Sequence, residues 1–241
     1  MLRTDVQDWN PYCGAAPSPS EIWAQWNLDP LLIAALCVAG WLIWARAPHR
    51  PRAFLGLAVL WVIFVSPLCA LSSALFSART VHHVLLLTLA APLLAASLPR
   101  LAGGLGAPLA AQALALWVWH APAAYGLALG SDAGYWAMQI TLLGTSLWFW
   151  RALGSSSWLS AAAALLGAMV AMGLLGAVLT FSQRPFYEPH LASTWAWGLT
   201  PLEDQQAAGL IMWVPAAAIY LLAALVAFGR GLSARPREQA A

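Results

Sequence analysis

Lysine is absent from this 241-residue chain, so all eleven of its positive charges are arginine. That excludes a lysine nucleophile, a retinal-type Schiff base and a P-loop lysine. Charge of either sign is scarce: 8% of residues are charged, against about 25% in an ordinary soluble domain. Hydrophobic residues make up 61%, a balance that fits neither a soluble globular protein nor a disordered one. The net charge of +2 is too small and too dispersed for a nucleic-acid binder, which carries a basic face. The three cysteines, Cys13, Cys37 and Cys69, contain no CxxC pair, so neither a disulfide scaffold nor a zinc knuckle is legible. What remains is a polytopic membrane protein.

A spanning helix needs roughly 20 mostly apolar residues. Seven stretches come near that length: 30–46, 53–71, 81–98, 107–124, 134–152, 158–181 and 206–229. Their apolar runs are continuous rather than alternating, which argues for helices over a β-barrel. The expected fold is all-α, a bundle of seven transmembrane helices over 30–229. An extracytoplasmic arm, 1–29, precedes it and a cytoplasmic tail, 230–241, follows. The arm has no apolar core of signal-peptide length. Pro11, Pro17 and Pro19 argue against a long helix there, and the arm is expected to lie on the membrane interface.

Charge sets the orientation. Arg46, Arg50, Arg52, Arg100, Arg151, Arg230, Arg235 and Arg237 fall on one side of the bundle, and Arg3, Arg79 and Arg184 on the other. The positive-inside rule makes the first side cytoplasmic and puts the N-terminus outside and the C-terminus inside. Tryptophans fit as interface belts, with Trp41, Trp44, Trp148, Trp150 and Trp158 at inner ends and Trp117, Trp119, Trp136 and Trp213 at outer ends. Pro67, Pro92 and Pro215 invite kinks, and Gly173 and Gly176 allow close helix approach.

The longest loop, 182–205, is expected outside. At its end Thr200, Pro201 and Glu203 spell a capping box with proline at the first helical position. Glu203 therefore reads first as a cap, and Asp204 adds favourable charge at the same helix start. Four histidines lie at the outer level: His82 and His83 at the start of span three, His120 near the end of span four, and His190 in the long loop. Cys69 and Met138 sit at the same depth. Imidazole, thiolate and thioether are ligands that cuprous copper accepts, and a helix bundle can converge them. Equally, such histidines can bond water and headgroups, and methionine can fill a core. His82 and His83 point about 100° apart on a helix, so only one is expected to face the bundle centre. Arg79 shares a face with His83. It either snorkels to the interface or binds a carboxylate, a phosphate headgroup or a haem propionate. Cys13 and Cys69 could pair, or one could bind metal. No nucleophile–base pair has a meaningful spacing, so no enzyme is expected.

Several motifs together resemble the CtaG-like cytochrome c oxidase assembly proteins, the seven-span kind of bacterial plasma membranes. They are WNLDP at 26–30, SPL at 66–68, HHVLLL and APLL within 82–94, WHAP at 119–122, LTFSQRPFY at 179–187 and LTPLEDQQAAGLIMWVP at 199–215. The resemblance implies a role in maturing haem–copper oxidase by helping copper reach its centre, with oxidase subunits and a periplasmic copper chaperone as partners. His83 and His120 match the family's polar positions. Arg79 stands where the family has a further histidine, and Met138 and Gln139 stand where it has a Glu-His pair. The expected copper ligands are His83 and His120, with His82, Met138 or Cys69 assisting. Arg79, Glu203, Asp204, Gln205 and Trp213 are expected in structural or partner-binding roles. Two other readings stay open: a metal-free scaffold for oxidase subunits, and a bis-histidine haem or quinone-reactive protein.

Overall fold

Proline opens helix after helix in this chain: Pro30, Pro67, Pro122 and Pro201 each take the first helical position. Its fixed φ suits a first turn, where its missing N–H is not needed. Small polar side chains cap two of these starts and one that lacks proline. Asp29 accepts from Leu31 N at 2.8 Å, Ser66 from Leu68 N at 3.2 Å and Ser131 from Gly134 N at 3.1 Å. The computed structural model describes Trp9 and residues 11–238, with side chains as far as Ser233. Arg3, Asp5 and Asp8, and the side chains of Arg235, Arg237 and Glu238, lie outside the described residues.

The fold is all-helical, with no strand among the described residues. In order the helices are α1 (Pro30–Arg46), α2 (Arg50–Phe64), α3 (Pro67–Ala74), α4 (Phe76–Leu85), α5 (Ala91–Ala95), α6 (Gly106–Trp119), α7 (Pro122–Leu129), α8 (Asp132–Leu153), α9 (Trp158–Phe181), α10 (Pro201–Ile211) and α11 (Ala217–Glu238). Single π-helical turns, Leu86–Ala90 and Met212–Ala216, join α4 to α5 and α10 to α11.

Three continuous rods are long and apolar enough to cross a membrane: Phe76–Ala95, Trp158–Phe181 and Pro201–Ser233. The bent pair α2–α3 makes a fourth if it counts as one span. The apolar helices α1 and α6 are shorter, at 17 and 14 residues. Helix α8 has 22 residues but carries Gln139, Thr141, Thr145 and Ser146 along its length. Leu31, Val38, Leu114, Ile140, Val170, Leu174 and Leu222 stand exposed on these rods. An apolar exterior on helices that satisfy their own backbone belongs in lipid. The protein is a membrane protein.

The three mid-span prolines behave differently. Pro67 breaks the expected second span into α2 and α3, bent by 47°. Pro92 and Pro215 are absorbed by the π turns. In the first, Leu87 O would bond Pro92 in the i→i+5 pattern, but proline has no N–H. Ser146 Oγ (3.0 Å) and Trp150 Nε1 (2.9 Å) of α8 donate to that carbonyl instead. Trp150 is thus a helix-to-helix tie rather than an interface belt residue. So are Trp117, which donates to Ala171 O at 3.0 Å, and Trp119, which donates to Thr141 Oγ1 at 2.8 Å. Other boundaries also move. The expected span at 107–124 ends at Trp119, and the separate short helix α7 follows. Helix α11 runs on to Glu238, past the expected end at 229.

The described part of the N-terminal arm packs across one end of the bundle. Cys13 is disulfide-bonded to Cys69 of α3. Tyr12 stacks on Tyr135 of α8 with ring centroids 4.8 Å apart, and its hydroxyl donates to Asp29 Oδ2. Asn27 donates through Nδ2 to Phe64 O at 3.1 Å, and Trp197 donates to Pro17 O at 3.1 Å. Loop 182–200 closes over the same end: Tyr187 donates to His120 O at 2.8 Å and Ser193 to Ala74 O at 2.6 Å. At the opposite end Ser97 bonds His49 O and Arg151 bonds Pro99 O.

Candidate functional site

The motif at 199–215 assembles this end of the bundle residue by residue. Thr200 and Glu203 form the expected capping box: Thr200 Oγ1 accepts from Glu203 N, and Glu203 Oε2 accepts from Thr200 N at 2.8 Å. Asp204 lies in the first turn of its own helix, as the sequence suggested, and its carboxylate does more than that. It crosses to α4, accepting from Phe76 N at 2.7 Å, from Ser77 N at 3.1 Å and from the Ser77 hydroxyl. Helix α4 has no side-chain cap of its own, so Asp204 supplies one from 128 residues away. Gln205 accepts from Phe186 N at 2.7 Å and donates to Arg184 O at 3.3 Å, clamping the loop. Trp213 packs edge-on against Phe181 on the exposed flank.

The helix so capped carries Arg79, His82 and His83. All three are buried, with Arg79 and His82 showing no exposure at all. The expectation that only one histidine would face inward is corrected. Helix α4 has neighbours on several sides, so His82 meets Phe64 of α2 (4.9 Å between centroids) while His83 meets His120 of α6 (5.4 Å). Arg79 does not snorkel. Its guanidinium lies over the Tyr135 ring at 5.3 Å, and its three nitrogens have no hydrogen-bond partner.

His83 and His120 are the closest approach to a ligand pair. His120 Nδ1 lies 2.7 Å from Leu116 O, a carbonyl that can only accept, so Nδ1 carries the proton and Nε2 the lone pair. That Nε2 is buried and unpartnered. An imidazole oriented by a carbonyl on one nitrogen and free on the other is the usual arrangement of a metal-binding histidine. His83 Nε2 sits 3.4 Å from the Gln139 amide, and its Nδ1 is unpartnered. Met138, next to Gln139, is buried in the apolar core. Cys69 leaves the ligand set, because its sulfur is bonded to Cys13 and offers no thiolate. Among the described residues no three His, Cys, Asp or Glu side chains are grouped to hold a metal ion.

Four residues that the sequence did not assign to the site join it. His190 from the long loop is buried and shares a 2.6 Å hydrogen bond with the Tyr125 hydroxyl. Burial, with Arg79 adding to it, pushes its pKa down to about 3. Phe76 stacks on Tyr187 at 3.8 Å and edges onto His120 at 6.1 Å, joining the His190–Tyr125 pair to the His83–His120 pair. A histidine three residues after the FSQRPFY stretch was the available signal. The aromatic residues gave none, because buried and interfacial aromatics look alike in sequence.

The described site is a closed, aromatic-walled cluster of imidazoles with one buried cation. No curated protein and no solved structure matches the chain. A protein-family model does match, that of the cytochrome c oxidase caa3 assembly factor, over residues 100–233. The match covers His120, Gln139, His190 and the whole 199–215 motif, more than half of the chain. By that match the chain belongs to the cytochrome c oxidase caa3 assembly factor (Caa3_CtaG) family.

Proposed function

We propose that this protein assists copper delivery to cytochrome c oxidase, holding a cuprous ion in transit between His83 and His120. The observation that carries this reading is the pair itself. Two buried imidazoles meet edge to face at 5.4 Å between centroids, and His120 Nε2 is left with a free lone pair. Two neutral imidazoles suit the cuprous ion. A two-ligand site leaves positions from which an acceptor can take the ion. Gln139 orients His83.

The family supplies the oxidase assembly role, and a non-catalytic part in it belongs to the proposal. The finer parts are proposed with it: seven spans in a bacterial plasma membrane, the histidine end outside, oxidase subunits and a periplasmic copper chaperone as partners. Supporting the topology, the stretches around His49, Pro99 and Arg151 meet at the bundle end opposite the histidines. Deleting the protein should deplete copper from assembled oxidase. Wild-type protein should restore it and the His83→Ala/His120→Ala variant should not. Full restoration by that variant would leave the second reading, a metal-free scaffold, which buried and unneutralised Arg79 beside the imidazoles favours.

A further inference from the structure

Arg79 is fully buried, and none of its guanidinium nitrogens has a partner in the described protein. A guanidinium presents five N–H donors and stays charged in any protein. Removing it from water is strongly unfavourable unless opposite charge or hydrogen bonds compensate. The Tyr135 ring beneath it offers the partial compensation of a cation–π contact, and the nearby Tyr125 and Tyr135 hydroxyls offer neutral oxygens but no negative charge. Asp204, the acid of the neighbouring helix, is committed to the backbone of Phe76 and Ser77. The surroundings otherwise add positive potential or donors. Arg79 lies in the first turn of α4, at the positive end of the helix dipole. His82 has both ring nitrogens unpartnered. Tyr125 and Tyr135 flank the guanidinium and feel its charge.

A buried cation, phenol hydroxyls and an imidazole form a donor set for an anion, while the first N–H groups of α4 are already taken by Asp204. We infer that Arg79, with Tyr125, Tyr135 and His82 around it, binds a small monovalent anion, a halide or a short carboxylate, inside the bundle. Complete burial of Arg79 limits the ligand to small species and excludes a lipid phosphate. Water alone would occupy the N–H groups without neutralising the charge. The inference does not depend on copper. An anion here would remove the repulsion that Arg79 otherwise exerts on a cation at His83.

The test uses the detergent-purified full chain. Its thermal unfolding is followed by tryptophan fluorescence while chloride replaces gluconate, a bulky carboxylate, at constant ionic strength. The expected result is a saturable rise in Tm with chloride, absent from Arg79→Gln. Equal unfolding in the two salts would overturn the proposal. Should Arg79→Gln not fold, chloride-35 NMR of the wild type decides. Line broadening that bromide competes away supports the site, and broadening that grows linearly without competition overturns it. Formate separates the two sources: displacement of chloride by formate assigns a carboxylate-accepting site, and indifference to formate assigns a halide site.

Discussion

Replacing Asp204 with alanine should cost this protein more stability than any other change in the 199–215 motif. The Asp204 carboxylate closes the first turn of α4 by accepting from Phe76 N and Ser77 N. Helix α4 has no local substitute, since Leu75 precedes it and provides no side-chain bond. Asp204→Ala leaves two backbone donors without acceptors at about 1–3 kcal/mol each, a loss of roughly 2–6 kcal/mol. Glu203→Ala makes the control. Glu203 is one position away but exposed, and water replaces its bonds at Thr200. Chemical or thermal unfolding in detergent, read by tryptophan fluorescence, compares the two. Loosening α4 also shifts His83 against His120, so Asp204→Ala should weaken copper retention and Glu203→Ala should not. If the two variants unfold alike and retain copper alike, the cross-helix cap is not what holds the site.

Three further outcomes are expected. A Cβ at Gly209 would lie 2.6 Å from Gly176 O and 2.7 Å from Thr180 N, so Gly209→Ala should force α9 and α10 apart and lower the Tm by an overpacking cost of about 1–3 kcal/mol. The Cys13–Cys69 disulfide closes a 56-residue separation; Cys13→Ser should lose about 2–4 kcal/mol, and a dithiol reductant should lower the wild-type Tm but not that of the variant. His190 is held neutral by burial, with a folded pKa of about 3 against about 6.5 when unfolded. The unfolded chain therefore binds more protons between those values. The His190 contribution is complete above pH 6.5 and falls as pH drops toward 3, reaching a loss of about 2 kcal/mol by pH 5. His190→Gln should flatten that part of the wild-type stability–pH curve, and an unchanged slope would refute the assignment.

What the sequence disclosed was local. Thr200 and Glu203, with Pro201 between them, mark a helix start, because a cap is a matter of three or four consecutive residues. Prolines inside spans were legible as perturbations but not in kind. Pro67 breaks a span, whereas Pro92 is tolerated because Ser146 and Trp150 of a distant helix take up the freed carbonyl. The pairing of Asp204 with α4, of Cys13 with Cys69 and of Tyr125 with His190 spans 128, 56 and 65 residues. The sequence offered the cysteine pairing as one of two options, and nothing in either segment announces the other two. Arg79 reads as a snorkelling interface residue from its position in the chain. Only the arm and the loop 182–200, folded over that end, turn the interface into an interior.

The central claim concerns the His83–His120 pair, and copper stoichiometry tests it most directly. Detergent-purified protein is loaded with cuprous ion under reducing conditions and desalted, and its copper is measured against protein. The account predicts about one retained copper per chain, as one donor pair of soft-acid-compatible imidazoles allows. It also predicts none in a folded His83→Ala/His120→Ala variant. Copper absent from the folded wild type, or retained equally by the variant, would contradict it.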